Sequence, residues 1–205
     1  MAVAPPPAAR QSPSSARNKD PILAALRPRL PSAGLVLEIA AGAGEHAVHL
    51  AGALPHLSWR PTDPDPEALA SIEAWRDHAA VPNLLAPLRL DAADPDAWPV
   101  EAAHALVNIN MIHISPWAAT VGLMAGAGRL LPPGGGLFLY GPYLEDELET
   151  APSNLAFDTS LKSRDPAWGL RRREDVTALA AGHGLTLAER LAMPANNLIL
   201  VFRKV

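Results

Sequence analysis

The chain has 205 residues, 49% of them apolar and 19% charged, a balance that suits one packed globular domain and excludes wholesale disorder. Its formal charge of −4 leaves no surplus of cations to neutralise a run of phosphates, so the expected partner is a small molecule and not a nucleic acid. The absence of cysteine excludes disulfides, thiolate nucleophiles and cysteine-ligated zinc; with no apolar run of the roughly 18 to 20 residues that span a bilayer, the expected setting is the reducing cytoplasm, away from membranes.

Residues 1–17 are mainly Pro, Ala and Ser and read as a flexible tail, leaving 18–205 as the folded domain. Asp20-Pro21 predicts a helix start, with Asp20 as cap and proline at the first position. The apolar run 35–39 has strand length; it ends in the turn Ala40-Ala41-Gly42-Ala43-Gly44, and a helix is expected over 45–53. A strand at 57–62, a helix at 65–78 and strands at 88–90 and 105–110 continue the alternation. Ser115-Pro116 predicts another helix start, running to Leu131, before a strand at 136–140. The stretch 142–170 reads as a long polar connection and 174–181 as a helix. The runs 185–192 and 198–202 lie too close together for a helical crossover and should pair as an antiparallel hairpin.

Apolar strands interleaved with helices imply an α/β fold, a mostly parallel sheet with helices on both faces. Such a sheet resembles the Rossmann-like, seven-stranded fold of class I methyltransferases. Ligands of open α/β sheets sit at the carboxyl ends of the strands, so strand-end residues carry most weight.

Glu38 followed by the glycine-rich turn resembles the first motif of those enzymes, with Ala40 where glycine is commoner. Gly42 and Gly44 let the main chain turn sharply and approach a ligand, and the next helix offers free N–H groups to a carboxylate. The resemblance implies S-adenosyl-L-methionine as cofactor, Glu38 near its amino group, Asp63 on the ribose hydroxyls and Asp91 near the adenine. Asp65 is the alternative ribose ligand, although it suits a helix cap with Pro66 after it. Gly42, Gly44 and Ala47 also satisfy the G-x-G-x-x-G/A pattern of a nicotinamide dinucleotide site, with Asp63 at a suitable distance. Glu38 favours the first reading, because a dinucleotide fold keeps that strand apolar.

The string Asn108-Ile109-Asn110-Met111-Ile112-His113-Ile114-Ser115-Pro116-Trp117 puts polar residues where substrate meets cofactor. With Asn18-Lys19-Asp20-Pro21, Tyr140-Gly141-Pro142-Tyr143, Ser153-Asn154, Phe157-Asp158 and Met193-Pro194-Ala195-Asn196-Asn197, it resembles the methyltransferase-like protein 26 family over about residues 18–204. The resemblance implies a methyltransferase-type fold and names no substrate. Asn110, Met111 and Ile112 are expected against the cofactor. His113 is the candidate general base, its pKa being usable near neutrality. Asn18, Tyr140, Tyr143, Asn154, Asp158, Asn196 and Asn197 are expected to line the acceptor pocket.

His46, His49 and His56 lack the carboxylate or cysteine pattern of a ligand set and read as helix-face histidines, so no metal is expected. The cluster Arg171-Arg172-Arg173 precedes Glu174-Asp175 and reads as a solvated helix start. The expected activity is methyl transfer from S-adenosyl-L-methionine to a small molecule. The rivals are a non-catalytic cofactor-binding protein acting through a partner and a nicotinamide-dependent oxidoreductase.

Overall fold

The computed structural model describes residue 6 and residues 8–205; the first part of the predicted tail falls outside the described residues. The remainder of that segment is folded. Helix α1 runs over Pro13–Leu26, so order begins before the Asp20-Pro21 cap and Pro21 lies inside the helix. A proline there forfeits one helical hydrogen bond and costs about 3 kcal/mol. Tertiary contact offsets this: Ile22 and Leu26 are buried, Asn18 is hydrogen-bonded to the next helix, and Asp20 lies in ion-pair range of it.

The chain then alternates β1 (Gly34–Ile39), α2 (Glu45–Ala53), β2 (Leu57–Asp63), α3 (Pro66–Ala79), β3 (Leu88–Arg89), β4 (Ala105–Ile109), α4 (Trp117–Leu130) and β5 (Gly136–Gly141). The last third holds β6 (Tyr143–Leu144), α5 (Pro152–Arg164), β7 (Arg171–Arg172), α6 (Arg173–Ala181), β8 (Leu185–Met193) and β9 (Asn197–Lys204). The polar connection expected over 142–170 therefore contains a 13-residue helix. Its sequence hides it because only Asn154 and Leu161 are buried, so no apolar stripe marks a face.

The sheet order is β3-β2-β1-β4-β5-β9-β8, with β1 to β5 parallel and β9 antiparallel to both β5 and β8. This is the seven-stranded class I methyltransferase arrangement, with the expected hairpin closing one edge. It differs from the all-parallel dinucleotide order because β9 inserts between β5 and β8.

Consecutive strand residues point to opposite faces. Leu37, Leu106 and Leu139 pack on one face with Leu123 and Met124 of α4 and Val176 of α6. Val36, Val107 and Phe138 pack on the other with Ile22 and Leu26 of α1 and Leu50 of α2. Burial on both faces explains why these strands are nearly all apolar.

Between β1 and β4 the strand order reverses, and buried side chains of β2 and β4 brace the end of β1 beside the ladder. Thr62 Oγ1 donates to the Glu38 carbonyl at 2.8 Å, and Asn108 Nδ2 donates to the Ile39 carbonyl at 2.8 Å. Both side chains are buried and each satisfies a strand-end carbonyl inside the fold, while Asn108 Oδ1 has no partner among the described residues. A crevice opens at this point.

Candidate functional site

The crevice is a cavity of about 650 Å3 at the carboxyl ends of β1 to β4. Glu38, Gly42, Asp63, Asp91, Asn110 and Met111 all line it. The structure thus gathers six of the eight residues expected at the cofactor.

Glu38 ends β1 with 1% of its surface exposed. Trp59 Nε1 donates to its Oε2 at 2.6 Å, while Oε1 has no protein donor among the described residues. Burial, helped by nearby Asp63 and opposed by the Trp59 bond, pushes its carboxyl up to about 7. A carboxylate so placed favours a cationic ligand group.

Asp63 ends β2 and organises the turn: its Oδ2 accepts from Gly42 N at 2.9 Å and its Oδ1 from Asp65 N at 3.0 Å. Desolvation holds its carboxyl above the usual range even against those two bonds. Asp65 caps α3, its Oδ1 accepting from Glu67 N at 2.9 Å. Asp91 follows β3, and its Oδ1 accepts from Ala93 N at 2.8 Å.

The two glycines of the turn have different jobs. Gly42 has φ +57 and open space where a Cβ would point. Gly44 has φ +90, and a Cβ there would lie 2.9 Å from the Ile72 Cα, so it lets α2 close on α3 and does not line the cavity. Ile112 is likewise displaced from the site: it is buried in the core beside Leu123. Met111 faces the cavity, held by Ser115, whose hydroxyl lies 2.7 Å from the Met111 carbonyl and 3.2 Å from its sulfur. Ser115 therefore serves the preceding turn, and Pro116 occupies the cap position of α4.

A second cavity, of about 540 Å3, adjoins the first, with Ser14 and Asn110 lining both. Asn18, Tyr140, Asn154 and Asn197 line it. Tyr143 and Asn196 line a separate hollow of about 230 Å3 instead, which Asn154 and Asn197 also border. Asp158 lines none of these three. Its Oδ1 accepts from Leu170 N at 2.8 Å and its Oδ2 pairs with Lys162 at 2.5 Å, so it ties α5 to the following loop.

His113 is not placed for proton transfer. It is fully buried, its two ring nitrogens have no partner among the described residues, and its ring meets Tyr143 edge-on at 4.9 Å. Desolvation, with Arg171 nearby, lowers its pKa to about 3. It lines none of the three cavities.

The histidine that does line the larger cavity is His46, in the first turn of α2. Its Nε2 lies 2.7 Å from Asn18 Oδ1 and its Nδ1 lies 3.5 Å from the Ser15 hydroxyl. Burial, with His49 and Lys19 nearby, lowers its pKa to about 4, so at neutral pH the uncharged ring donates to Asn18. His49 Nε2 lies 2.9 Å from Asp20 Oδ1, and the Ser12 amide donates to Glu45 Oε2 at 2.5 Å. The segment read as a tail is thereby latched over the site, with Ser12, Ser14 and Ser15 in the cavity wall. Position alone, two residues past Gly44, could have singled out His46; the wall formed by residues 12–15 had no sequence signal. Among the described residues no group of three or more His, Asp or Glu is arranged to hold a metal ion.

Arg171 is no solvated helix start. It donates to the carbonyls of Ile112, Ser115 and Ala167 at 3.0, 2.8 and 2.9 Å, fixing the loop after β4. Arg172 pairs with Asp146 and Arg173 with Glu145 and Glu174. Trp168, next to Ala167 in the loop before β7, forms part of the larger cavity's wall.

Backbone strain gathers around these cavities. Of the five non-glycine residues with positive φ among those described, Ala40 and Asn110 line the larger cavity, Asn110 and Ala195 the second, and Asn196 the small hollow; Ala80 caps a helix. Left-handed alanine costs about 1–2 kcal/mol, a cost that persists where surrounding structure enforces it, as at ligand sites.

A family model described as a protein of unknown function, DUF938, matches residues 9–204. The chain belongs to this family. The match begins within the supposed tail, in keeping with the packed α1.

The DUF938 chain is similar in structure to an O-methyltransferase family protein from Burkholderia thailandensis, with a TM-score of 0.79 at 16% identity over 93% of this chain and 57% of that one. It is similar to an O-methyltransferase family 2 protein from Planctomyces limnophilus in complex with apigenin, with a TM-score of 0.74 at 19% identity over 91% of this chain and 62% of that one. The SAH-bound form of CalO1, a methyltransferase in calicheamicin biosynthesis, matches with a TM-score of 0.74 at 17% identity, over 94% of this chain and 54% of that one. The chain therefore spans less than two thirds of the length of these neighbours, and the likeness establishes the fold. No helix among the described residues is long and apolar enough to cross a membrane.

Proposed function

We propose that this protein binds S-adenosyl-L-methionine in the larger cavity and transfers its methyl group to a small molecule. The observation that carries the reading is the convergence of Glu38, the residue 40–44 turn, Asp63 and Asp91 on one cavity of suitable volume.

The residues fit that cofactor group by group. Glu38 Oε1, lacking a protein donor, suits an ammonium. The turn and the N-terminus of α2, whose first N–H groups have no helical acceptor, suit a carboxylate. Asp63 keeps lone pairs for two ribose hydroxyls beyond its bonds to Gly42 and Asp65. Leu90, Ala92 and Ala119 provide an apolar wall beside Asp91 for a flat base.

When bound, the cofactor supplies an electrophilic methyl group on a cationic sulfur. The chain's own work is alignment and exclusion of water. Asn110 sits where the two cavities meet, in a left-handed conformation with its amide donating to the Tyr140 carbonyl at 2.8 Å, so the wall between cofactor and acceptor is rigidly set. His113 has no part in moving a proton.

The small-molecule acceptor is supported by the negative net charge and by the second cavity. The neighbours' names point the same way, since they include a mitomycin 7-O-methyltransferase and a protein in complex with apigenin. The signature strings support placing the protein beside the methyltransferase-like protein 26 family, and the lack of cysteine supports the cytoplasm.

Isothermal calorimetry with S-adenosylmethionine, S-adenosylhomocysteine and NAD tests the reading. Binding of the first two and not of NAD is expected; binding of NAD alone returns the site to a nicotinamide enzyme, and binding of none overturns the proposal. Methylated product from a metabolite mixture separates an enzyme from a non-catalytic binder.

A further inference from the structure

The second cavity has a chemical bias. Arg17 lines it and has no hydrogen-bond or ion-pair partner among the described residues, and no Asp or Glu lines the cavity with it. The asparagines in its wall have their acceptors or donors partly consumed: Asn18 Oδ1 by His46, Asn154 Nδ2 by the Asn196 carbonyl at 3.0 Å, and Asn197 Nδ2 by the Pro194 carbonyl at 3.0 Å. Asn18 thus presents N–H groups, one of them bonded to the Tyr140 hydroxyl, next to a guanidinium. Pro21, Tyr140, Pro142 and Phe157 supply flat apolar surface.

Arg17 also stands close to the place of reaction. It follows Ser14 by three residues on α1, which puts the two on one helix face about 5–6 Å apart. Ser14 lines both cavities. Arg17 thus shares a helix face with a residue at the junction of the two cavities, where Asn110 also sits.

We infer that the second cavity is the acceptor subsite and that its ligand is a small organic acid, whose carboxylate pairs with Arg17 while its apolar body rests on Tyr140 and Phe157. A guanidinium pairs with a carboxylate through two parallel hydrogen bonds, which fixes orientation as well as presence. The inference rests on the methyltransferase reading for the acceptor role and for the ligand next door; the acid preference of the cavity does not.

The test compares benzoate, phenylacetate and 4-hydroxybenzoate with their primary amides, matched in shape and lacking the charge. Binding is followed by NMR and calorimetry, with and without S-adenosylhomocysteine, in the native chain and in Arg17→Ala and Arg17→Lys. The acids should bind about tenfold or more tightly than the amides, as a charge-assisted bond implies. Arg17→Ala should erase that preference and Arg17→Lys retain part of it, with melting temperature and S-adenosylhomocysteine affinity unchanged because Arg17 is exposed and outside the larger cavity. Equal binding of acids and amides, a preference that survives Arg17→Ala, or no binding of any acid at millimolar concentrations overturns the inference. If S-adenosylhomocysteine does not bind while the Arg17-dependent preference appears, the methyltransferase reading fails alone; the reverse pattern removes only the acid subsite.

Discussion

Replacing Glu38 with glutamine removes a charge while leaving the Trp59 indole an amide oxygen to bond. In the native chain, burial is the main cause that moves the Glu38 carboxyl from 4.5 up to about 7. The folded state therefore holds the proton more tightly than the unfolded one. The resulting penalty is absent below the unfolded value of 4.5, grows as pH rises, and is complete above about 7. A shift of about 2.5 units at about 1.36 kcal/mol each makes it about 3 kcal/mol, an upper bound because water in the cavity solvates one side. For a chain of this size each kcal/mol moves the melting temperature by about 2–4 °C. Glu38→Gln should thus melt roughly 6–12 °C higher at about pH 8.5 and no higher at about pH 4.5. Calorimetry at the higher pH should show S-adenosylmethionine bound at least about tenfold more weakly, since a neutral amide replaces the charge opposite the ammonium. Melting curves across pH, read by circular dichroism, decide the matter. A thermal gain independent of pH would refute the account of burial, and unchanged affinity would refute the role of Glu38 at the ligand.

The two glycines of the turn should separate by assay. Gly42→Ala, with room for the new Cβ, costs about 1–2 kcal/mol of left-handed strain and weakens cofactor binding; Gly44→Ala adds a collision with the Ile72 backbone and chiefly lowers melting temperature. Asp63→Ala leaves the Gly42 and Asp65 amides without their acceptor, at about 1–3 kcal/mol for each donor that stays buried, so urea unfolding should register the loss together with lost binding. His46 and His113, lowered to about 4 and about 3, stabilise the fold fully above their unfolded value of 6.5 and lose that contribution as pH falls. Glu38 opposes them between 7 and 4.5, so stability should fall by up to about 1.4 kcal/mol per pH unit from 6.5 down to 4.5, measurable by denaturant titration. His113→Leu should flatten that slope and keep the rate of methyl transfer within a few-fold, whereas loss of activity with cofactor binding intact would restore His113 to the chemistry.

Much of this architecture is written locally. Strands buried on both faces need continuous apolar runs, and the runs around Val36, Val107 and Phe138 therefore announced a covered parallel sheet. The short link between β8 and β9 allowed only an antiparallel pair, and strand ends followed by turns marked Glu38, Gly42, Asp63 and Asp91, because chain order and side-chain period place them at one edge of such a sheet. These features depend on neighbours a few residues away, where spacing and composition act directly.

Other features depend on partners far along the chain. Residues 13–17 look disordered by composition, yet Asn18 and Asp20 meet His46 and His49 across 28 and 29 residues, and that contact makes the helix continue through Pro21. His113 looks like a base until the packing of Tyr143, Gly141 and the Arg171-held loop buries it completely. Asp158 and Arg171 look available until tertiary hydrogen bonds claim them, while Arg17 looks like part of a tail until α1 sets it beside an acid-free cavity. Sequence alone determined which residues belong to the strands of the seven-stranded sheet and their ends. Only the tertiary structure decided which polar groups are already satisfied, because hydrogen bonding and desolvation are set by distant residues brought into contact, and the unsatisfied ones that face a cavity are what remain to bind a ligand.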